Sequence, residues 1–514
     1  MLLRGVVHDP SAAALGGVAG HAGLFSTGRD LARYLEALLR EPTSLLSGPT
    51  RETLLTLRPA GLDGAARPLR RSLAFAESPP GLSHTGFTGT YVWLDPKTRS
   101  GAVVLTNRVH LGQRGDPTEL RRAVVRAVVE ADRARAPAAP SVVVGVDVLL
   151  ERPRPLEGLR VALLSNDASR TQRGERTVDA LARALGPRLV KLLAPEHGAS
   201  ARREGSQGDA RDARTGLPVL SLYGAKTSPT RDDLRDVDAV VVDLIDAGTR
   251  SFTYESTLAE LTRACARHHK RLVVLDRPSP QGGSLVSGPV TQPARRSFVA
   301  GVTTPLVHGL TLGELARFVA RDEGLSLALE VVPARGLERR MRVGDTGLSW
   351  SAPSPNLLSA RAVSLYPGVA LVELTNVSVG RGTGRPFELV GAPFVDGARL
   401  AESLRREGIA GLAVREATFI PSASIYAGER CSGVLLEVRE PGALDPVRVG
   451  YALARALGRW YSNDWRSNHL PVLLADDRVA RALLAGATDA ELERLIGPEL
   501  ARFRSAREPA LLYR

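Results

Sequence analysis

Between residues 161 and 275, short apolar runs alternate with amphipathic stretches. Val161-Ala162-Leu163-Leu164, Leu189-Val190-Lys191-Leu192-Leu193, Ala239-Val240-Val241-Val242 and Leu272-Val273-Val274-Leu275 have the length and near-continuous apolar character of strands buried on both faces. Thr177 to Leu185 and Ser256 to Arg267 repeat their apolar positions at helical spacing. Strands and helices in alternation predict an α/β lobe built on a parallel sheet. From about Gly301 the pattern is less regular, with turn signals at Pro353, Pro355 and Pro367, and predicts a smaller α+β lobe. Near the start, Ser26-Thr27 is placed to cap a helix running to about Arg40, with Leu31, Tyr34, Leu35 and Leu38 on one face. Tyr91 to Leu94 and Ala102 to Leu105, joined by Asp95-Pro96-Lys97-Thr98-Arg99-Ser100-Gly101, predict a hairpin. The small-residue and proline stretch from Ala131 to Pro140 reads as a linker. The expected division is a front segment 1–130, a linker 131–143, an α/β lobe 144–300 and an α+β lobe 301–514.

Composition narrows the picture. A chain of 514 residues is long enough for about three domains, each with its own core. No apolar run approaches the roughly 18 residues of a membrane-spanning helix. The formal charge of +13 raises the question of a nucleic-acid partner, but only four of the 68 basic residues are Lys and the Arg residues are dispersed. No nucleic-acid partner is expected, and a diffuse positive field favours anionic ligands. Cys265 and Cys431 allow at most one bridge and no Cys-x-x-Cys metal site. Met1-Leu2-Leu3-Arg4 opens a polar, Gly-rich stretch without the apolar core of a signal peptide. As written the chain is expected in the cytoplasm; a true start lying upstream would make it periplasmic or extracellular.

In open α/β sheets, ligands bind beyond the carboxyl ends of the strands. Here those ends read Ser165-Asn166-Asp167, Pro195-Glu196-His197-Gly198, Asp243-Leu244-Ile245-Asp246 and Asp276-Arg277-Pro278. A parallel sheet would bring these groups to one edge and predicts an acid-rich cleft. Asp at a strand end doubles as a turn former or helix cap. Glu is a poor turn residue, so Glu196, between a proline and His197-Gly198, stands out. Without His-x-His, His-Glu-x-x-His or a Cys partner, neither a metal nor any other cofactor is expected. Gly380-Arg381-Gly382-Thr383-Gly384 lacks the Gly-x-Gly-x-x-Gly spacing of a dinucleotide loop.

The motifs Pro195-Glu196-His197-Gly198, Thr215-Gly216-Leu217-Pro218-Val219, Ser221-Leu222-Tyr223-Gly224 and Asp276-Arg277-Pro278 resemble those of the exo-β-N-acetylmuramidase (NamZ-like) glycosidases. The likeness continues, in colinear order, through His308-Gly309-Leu310-Thr311-Leu312-Gly313-Glu314-Leu315, Pro353-Ser354-Pro355-Asn356 and Tyr366-Pro367-Gly368. It extends through Glu373 to Thr383, Pro386-Phe387-Glu388 and Leu511-Leu512-Tyr513, and covers about Val144 to Arg514. The resemblance implies a Rossmann-like lobe and a smaller lobe with the active site between them. It also implies release of terminal N-acetylmuramic acid from the non-reducing end of peptidoglycan fragments, with Glu196 as acid/base. Departures fall at Ile245 and Phe252, which stand where the family tends to carry Gln and Tyr, at Asn166-Asp167-Ala168-Ser169, and at Ser279. They bear on sugar preference more than on reaction class.

Glycoside cleavage needs an acid for the leaving oxygen and stabilisation of an oxocarbenium-like transition state. Beside Glu196, with His197 adjacent, the second role is open among Asp243, Asp246, Glu314, Glu373 and Glu388, or the sugar's own 2-acetamido group; Asp246 and Glu373 are carried forward. Muramic acid bears a lactyl carboxylate, for which Arg250, Arg381 and His308 are the candidate partners, helped by the Gly380-Arg381-Gly382 backbone. Asn166, Tyr223, Tyr254, Asn356, Ser378 and Thr383 complete the expected sugar-binding set.

The front segment carries Gly16 to Thr27, Ser83-His84-Thr85-Gly86-Phe87-Thr88-Gly89-Thr90 and Leu105-Thr106-Asn107-Arg108. These resemble the C-terminal part of a serine β-lactamase or penicillin-binding-protein-like hydrolase, with His84-Thr85-Gly86 at the Lys-Thr-Gly strand. Such chemistry needs a Ser-x-x-Lys nucleophile, and the chain contains none. The segment is expected to be inactive and truncated, lacking strands of its sheet and exposing an edge. Two alternatives to the glycosidase therefore stand: a β-lactamase-like serine hydrolase with an accessory domain, and a non-catalytic peptidoglycan-fragment binder.

Overall fold

The computed structural model describes residues 5–39, 46, 48–62, 68–96, 98–110, 116–135, 142–205 and 207–514. It divides into two compact units, Met1–Pro137 and Ala138–Arg514. The break falls inside the expected linker, although the helix Thr118–Arg135 runs into that stretch; residues 136–141 lie outside the described residues.

The first unit is a six-stranded antiparallel meander in sequence order. Alternation decides which face each helix covers. Leu82 and Leu94 pack with Leu35, Leu38 and Leu39 of the helix Gly28–Leu39, whereas Tyr91, Trp93, Ala102 and Val104 face Val124, Val125, Val128 and Val129 of Thr118–Arg135. The hairpin forms, with Trp93 opposite Ala102; Lys97 in its turn and Arg40 after the helix lie outside the described residues. Tyr34, placed by its spacing on the apolar face, is exposed, because the buried stripe is carried by Leu35, Leu38 and Leu39.

In the second unit, strands Val161–Ser165, Leu189–Ala194, Ala239–Asp243 and Arg271–Leu275 form at the four apolar runs, and all are parallel. The sheet has seven strands, in the spatial order 329–332, 271–275, 239–243, 161–165, 189–194, 218–221, 210–211. Both faces are buried. Ala162, Leu164, Val240 and Val242 face one layer of core, and Val161, Leu163, Val241 and Val273 the other. The strand Leu329–Val332 lies beyond the expected lobe boundary at 300, so the sheet draws its edge from chain assigned to the second lobe. Its burial is only partial, which left no apolar run to betray it.

The remaining α+β part holds a three-stranded antiparallel sheet of Leu389–Ala392, Cys431–Val438 and Leu412–Phe419. Helices Ala360–Val369 and Pro446–Trp460 cross beside it at Gly368 and Gly450. A Cβ on Gly368 would sit 1.8 Å from the Pro446 carbonyl oxygen, so the Tyr366-Pro367-Gly368 motif is first a close-packing device. Cys265 and Cys431 are both buried and free. No helix among the described residues is long and apolar enough to cross a membrane.

Candidate functional site

The chain steps from Val161–Ser165 outward to 189–194 and 218–221, then returns to place 239–243 on the other side of 161–165. That reversal is a topological switch point, where the loops splay and leave a crevice. Most of the strand-end acids do not line it. Asp243 is fully buried against Arg277, at 2.5 and 2.8 Å, and accepts from Thr177 Oγ1 at 2.5 Å. Asp276 accepts from Thr311 Oγ1, Gly313 N–H and the Tyr513 hydroxyl, and burial pushes its carboxyl up to about 6. Asp167 pairs with Arg176 at 2.8 Å. These are structural roles, and the acid-rich cleft shrinks accordingly.

Glu196 is the strand-end acid that remains open. His197 (φ 69°) and Gly198 (φ 66°) are consecutive left-handed residues that turn the chain sharply after Leu189–Ala194 and leave Glu196 half-exposed at the apex. His197 is buried, and its Nδ1–H donates to the Arg203 carbonyl at 3.0 Å, so it holds the turn. The Glu196 carboxylate accepts from Thr253 Oγ1 at 2.6 Å and from the Tyr223 hydroxyl. Burial, with the Glu196 charge beside it, pushes the Tyr223 phenol up to about 12 and keeps it a donor. Tyr254 lies behind the turn, fully buried. Its hydroxyl accepts from Asn166 Nδ2 at 2.8 Å and sits 2.7 Å from the Pro353 carbonyl and 3.2 Å from that of Glu196. Asn166 and Tyr254 therefore position the turn from below.

Opposite stands Glu373, paired with Arg381. Burial raises the Glu373 carboxyl; Arg381 opposes the rise, and the charges of Glu204 and Glu196 add to it. Arg381 also meets Glu204 Oε2 at 3.2 Å, and Asn356 Nδ2 donates to Glu204 Oε1. Ser378 and Thr383 serve the loop: Ser378 Oγ accepts from Gly380 N–H at 3.2 Å, and Thr383 Oγ1 donates to the Gly380 carbonyl at 2.6 Å. Gly382 (φ 77°) has no room for a side chain, since a Cβ would meet Ala423 N at 2.4 Å. Tyr366 closes the floor, edge-on to Phe252 and Phe387 and hydrogen-bonded to Ser251. Phe252 thus fills an aromatic core, which accounts for its lacking a hydroxyl.

Three expected site residues lie elsewhere. Arg250 is 1% exposed and donates to the carbonyls of Pro289, Thr304, Leu473 and Leu474. His308, also 1% exposed, accepts from Leu310 N–H at Nδ1, so its Nε2–H donates to Glu255 Oε1 at 2.5 Å. Asp246 is buried beside the same Glu255. Burial, then the Glu255 charge, raises its carboxyl well above the ordinary value. All three are buried, and the unpartnered Arg250 Nε and Asp246 Oδ1 are themselves enclosed. Among the other acids considered, Glu314 pairs with Arg339 at 2.5 Å and Glu388 with Ser359 and Arg361. Conversely Glu204, Ser251, Thr253 and Tyr366 belong to the site without having been singled out. The spacing Thr253-Tyr254, one helical turn's start after the 239–243 strand, was the available signal for Thr253; Glu204 carried none.

The raised Asp246 carboxyl has a measurable consequence. Because the folded-state value of Asp246 lies above its ordinary 3.8, its contribution to stability is fully present below that value and is lost as pH rises through the raised one. Each pH unit between the ordinary and the raised value costs about 1.4 kcal/mol, and the loss is complete above the raised one. Asp246→Asn supplies a permanent N–H donor to Glu255. Unfolding midpoints followed upward in pH from the ordinary carboxyl value should fall more steeply for the wild type than for this variant; parallel curves would mean that the Asp246 carboxyl is not raised.

Fold and site define the second unit as a mixed α/β protein built on a seven-stranded, mainly parallel sheet. Comparison with known proteins identifies it further. Residues 161–361 and 364–513 match the N- and C-terminal domains of exo-β-N-acetylmuramidase NamZ, and residues 3–127 match the β-lactamase family. The chain is 37% identical over 329 residues to a Bacillus subtilis protein named peptidoglycan β-N-acetylmuramidase NamZ, covering 63% of this chain and 80% of that one. A solved DUF1343-family structure from Bacteroides fragilis superimposes with a TM-score of 0.67 at 30% identity, covering 73% of this chain and 99% of the other. The chain belongs to the exo-β-N-acetylmuramidase NamZ family. Its front segment is 34% identical over 122 residues to an N-acetylmuramyl-L-alanine amidase of B. subtilis, spanning 21% of this chain and 27% of that protein.

Proposed function

We propose that the second unit is an exo-acting glycoside hydrolase that releases terminal N-acetylmuramic acid from the non-reducing end of peptidoglycan fragments, in cell-wall turnover. The observation that carries this reading is Glu196 itself. It is half-exposed at a strand end, held by Thr253 and Tyr223, and its charge reaches a second carboxyl, Glu373, which is paired with Arg381. Glu196 delivers a proton to the glycosidic oxygen as the bond to the anomeric carbon breaks, then accepts one from the incoming water. Glu373 and the sugar's 2-acetamido oxygen are the groups available to stabilise the developing positive charge. His197 acts as a support by shaping the turn, and Asp246, buried beside Glu255, takes no part. Of the cations considered for the lactyl carboxylate, Arg381 is the one whose side chain reaches the site.

The relative from B. subtilis bears the matching name, which supports the substrate class. The first unit, without Ser-x-x-Lys in the chain, does not acylate. A chromogenic N-acetylmuramide provides the test. Release of free N-acetylmuramic acid with the chromophore is expected; tight binding of the saccharide with no release would leave a peptidoglycan-fragment binder in its place.

A further inference from the structure

Glu204 spans the two groups best suited to grip a carboxylate. Its Oε2 lies 3.2 Å from Arg381 Nη1, and its Oε1 accepts from Asn356 Nδ2. Arg381 is anchored independently through Nη2 to Glu373, and its Nε is buried without a partner. A planar guanidinium fork beside an amide N–H is a donor set matched to a planar two-oxygen anion. Charge points the same way. Two carboxyls, Glu204 and Glu373, contact Arg381, and the charge of a third, Glu196, reaches Glu373. An anionic sugar arriving with Glu204 in place meets an excess of negative charge. With Glu204 withdrawn, the Arg381–Glu373 pair is neutral and the outer donors of the fork are open. Withdrawal is easy, because the Glu204 side chain is 54% exposed and an ion pair at such exposure is weak. The backbone next to it stays in place through the bond from His197 to Arg203.

We propose that Arg381 and Asn356 form the carboxylate subsite of the active site, and that the Glu204 side chain occupies it in the free protein as a displaceable stand-in for the sugar's own carboxylate. The inference rests on the muramic-acid reading, since that sugar carries its one carboxylate on the lactyl ether. Glu204 then competes with acid sugars and not with neutral ones, and sets a threshold that a ligand must pass with its own charge.

Calorimetry on the full chain tests this, with N-acetylmuramic acid and its neutral lactyl amide as ligands for the wild type and Glu204→Gln. Gln keeps the size and loses the charge, so Kd for the acid should fall by about threefold or more, while Kd for the amide stays put. An unchanged or higher Kd for the acid, equal shifts for both ligands, or no binding of the acid to either protein would overturn the proposal. Turnover is scored separately. The expected binding pattern without release of product would sink the hydrolase and keep the subsite; turnover without the pattern would sink the subsite alone.

Discussion

Glu196→Gln should lower kcat for release of N-acetylmuramic acid by about 10²- to 10⁴-fold, the range a positioned general acid contributes. The substitution is isosteric. A Gln carbonyl still accepts from Thr253 Oγ1 and Tyr223, so the turn at Pro195–Gly198 and the buried Tyr254 beneath it keep their contacts. What disappears is the proton for the leaving oxygen. The loss should therefore fall on kcat, with KM and the unfolding midpoint near wild type. A chromophore with a very acidic phenol needs little protonation and should be spared most of the loss. If activity survives on both good and poor leaving groups, Glu196 is not the acid, and Glu373 becomes the residue to replace.

Arg250→Met should cost about 3–5 kcal/mol of stability, the scale of unpairing a buried charged network. The guanidinium is the donor for four carbonyl oxygens, two from the 289–304 segment and two from the end of the helix Leu470–Leu474. Met fills much of the volume and takes this donor from all four acceptors, of which Thr304 alone keeps a second partner in Thr291 N–H among the bonds described. A denaturant midpoint shifted by less than 1 kcal/mol would mean that water replaces the guanidinium there. The direction also separates two roles for this residue. A ligand-binding arginine would lose sugar affinity at full stability, whereas the contacts observed require the opposite.

How much of this was legible in the chain differs by layer. The four central strands announced themselves because strands buried on both faces must be apolar at every position. The edge strand Leu329–Val332, half-covered, did not. Glu196 could be singled out from its neighbours alone, since the residue types that favour a turn leave a glutamate there unexplained. Asp246, Arg250 and His308 carried the same chemical credentials, and the fold spent them on its interior. The sequence lists charged groups, but their pairing depends on contacts such as Asp246 with Glu255, nine residues on, or Arg250 with Leu473, more than two hundred residues away.

By itself, then, the order of apolar and polar residues determined the parallel strands of the α/β sheet and set apart the one acid that no local role explains. These are properties of period and neighbourhood, which operate over a few residues. Only the tertiary structure decided which acids are neutralised, that the Glu196 charge reaches Glu373, and that Glu204 holds the Arg381 fork. Charge compensation at short range depends on distance through space, and residues 196, 204, 373 and 381 become neighbours only when the lobe has closed around them.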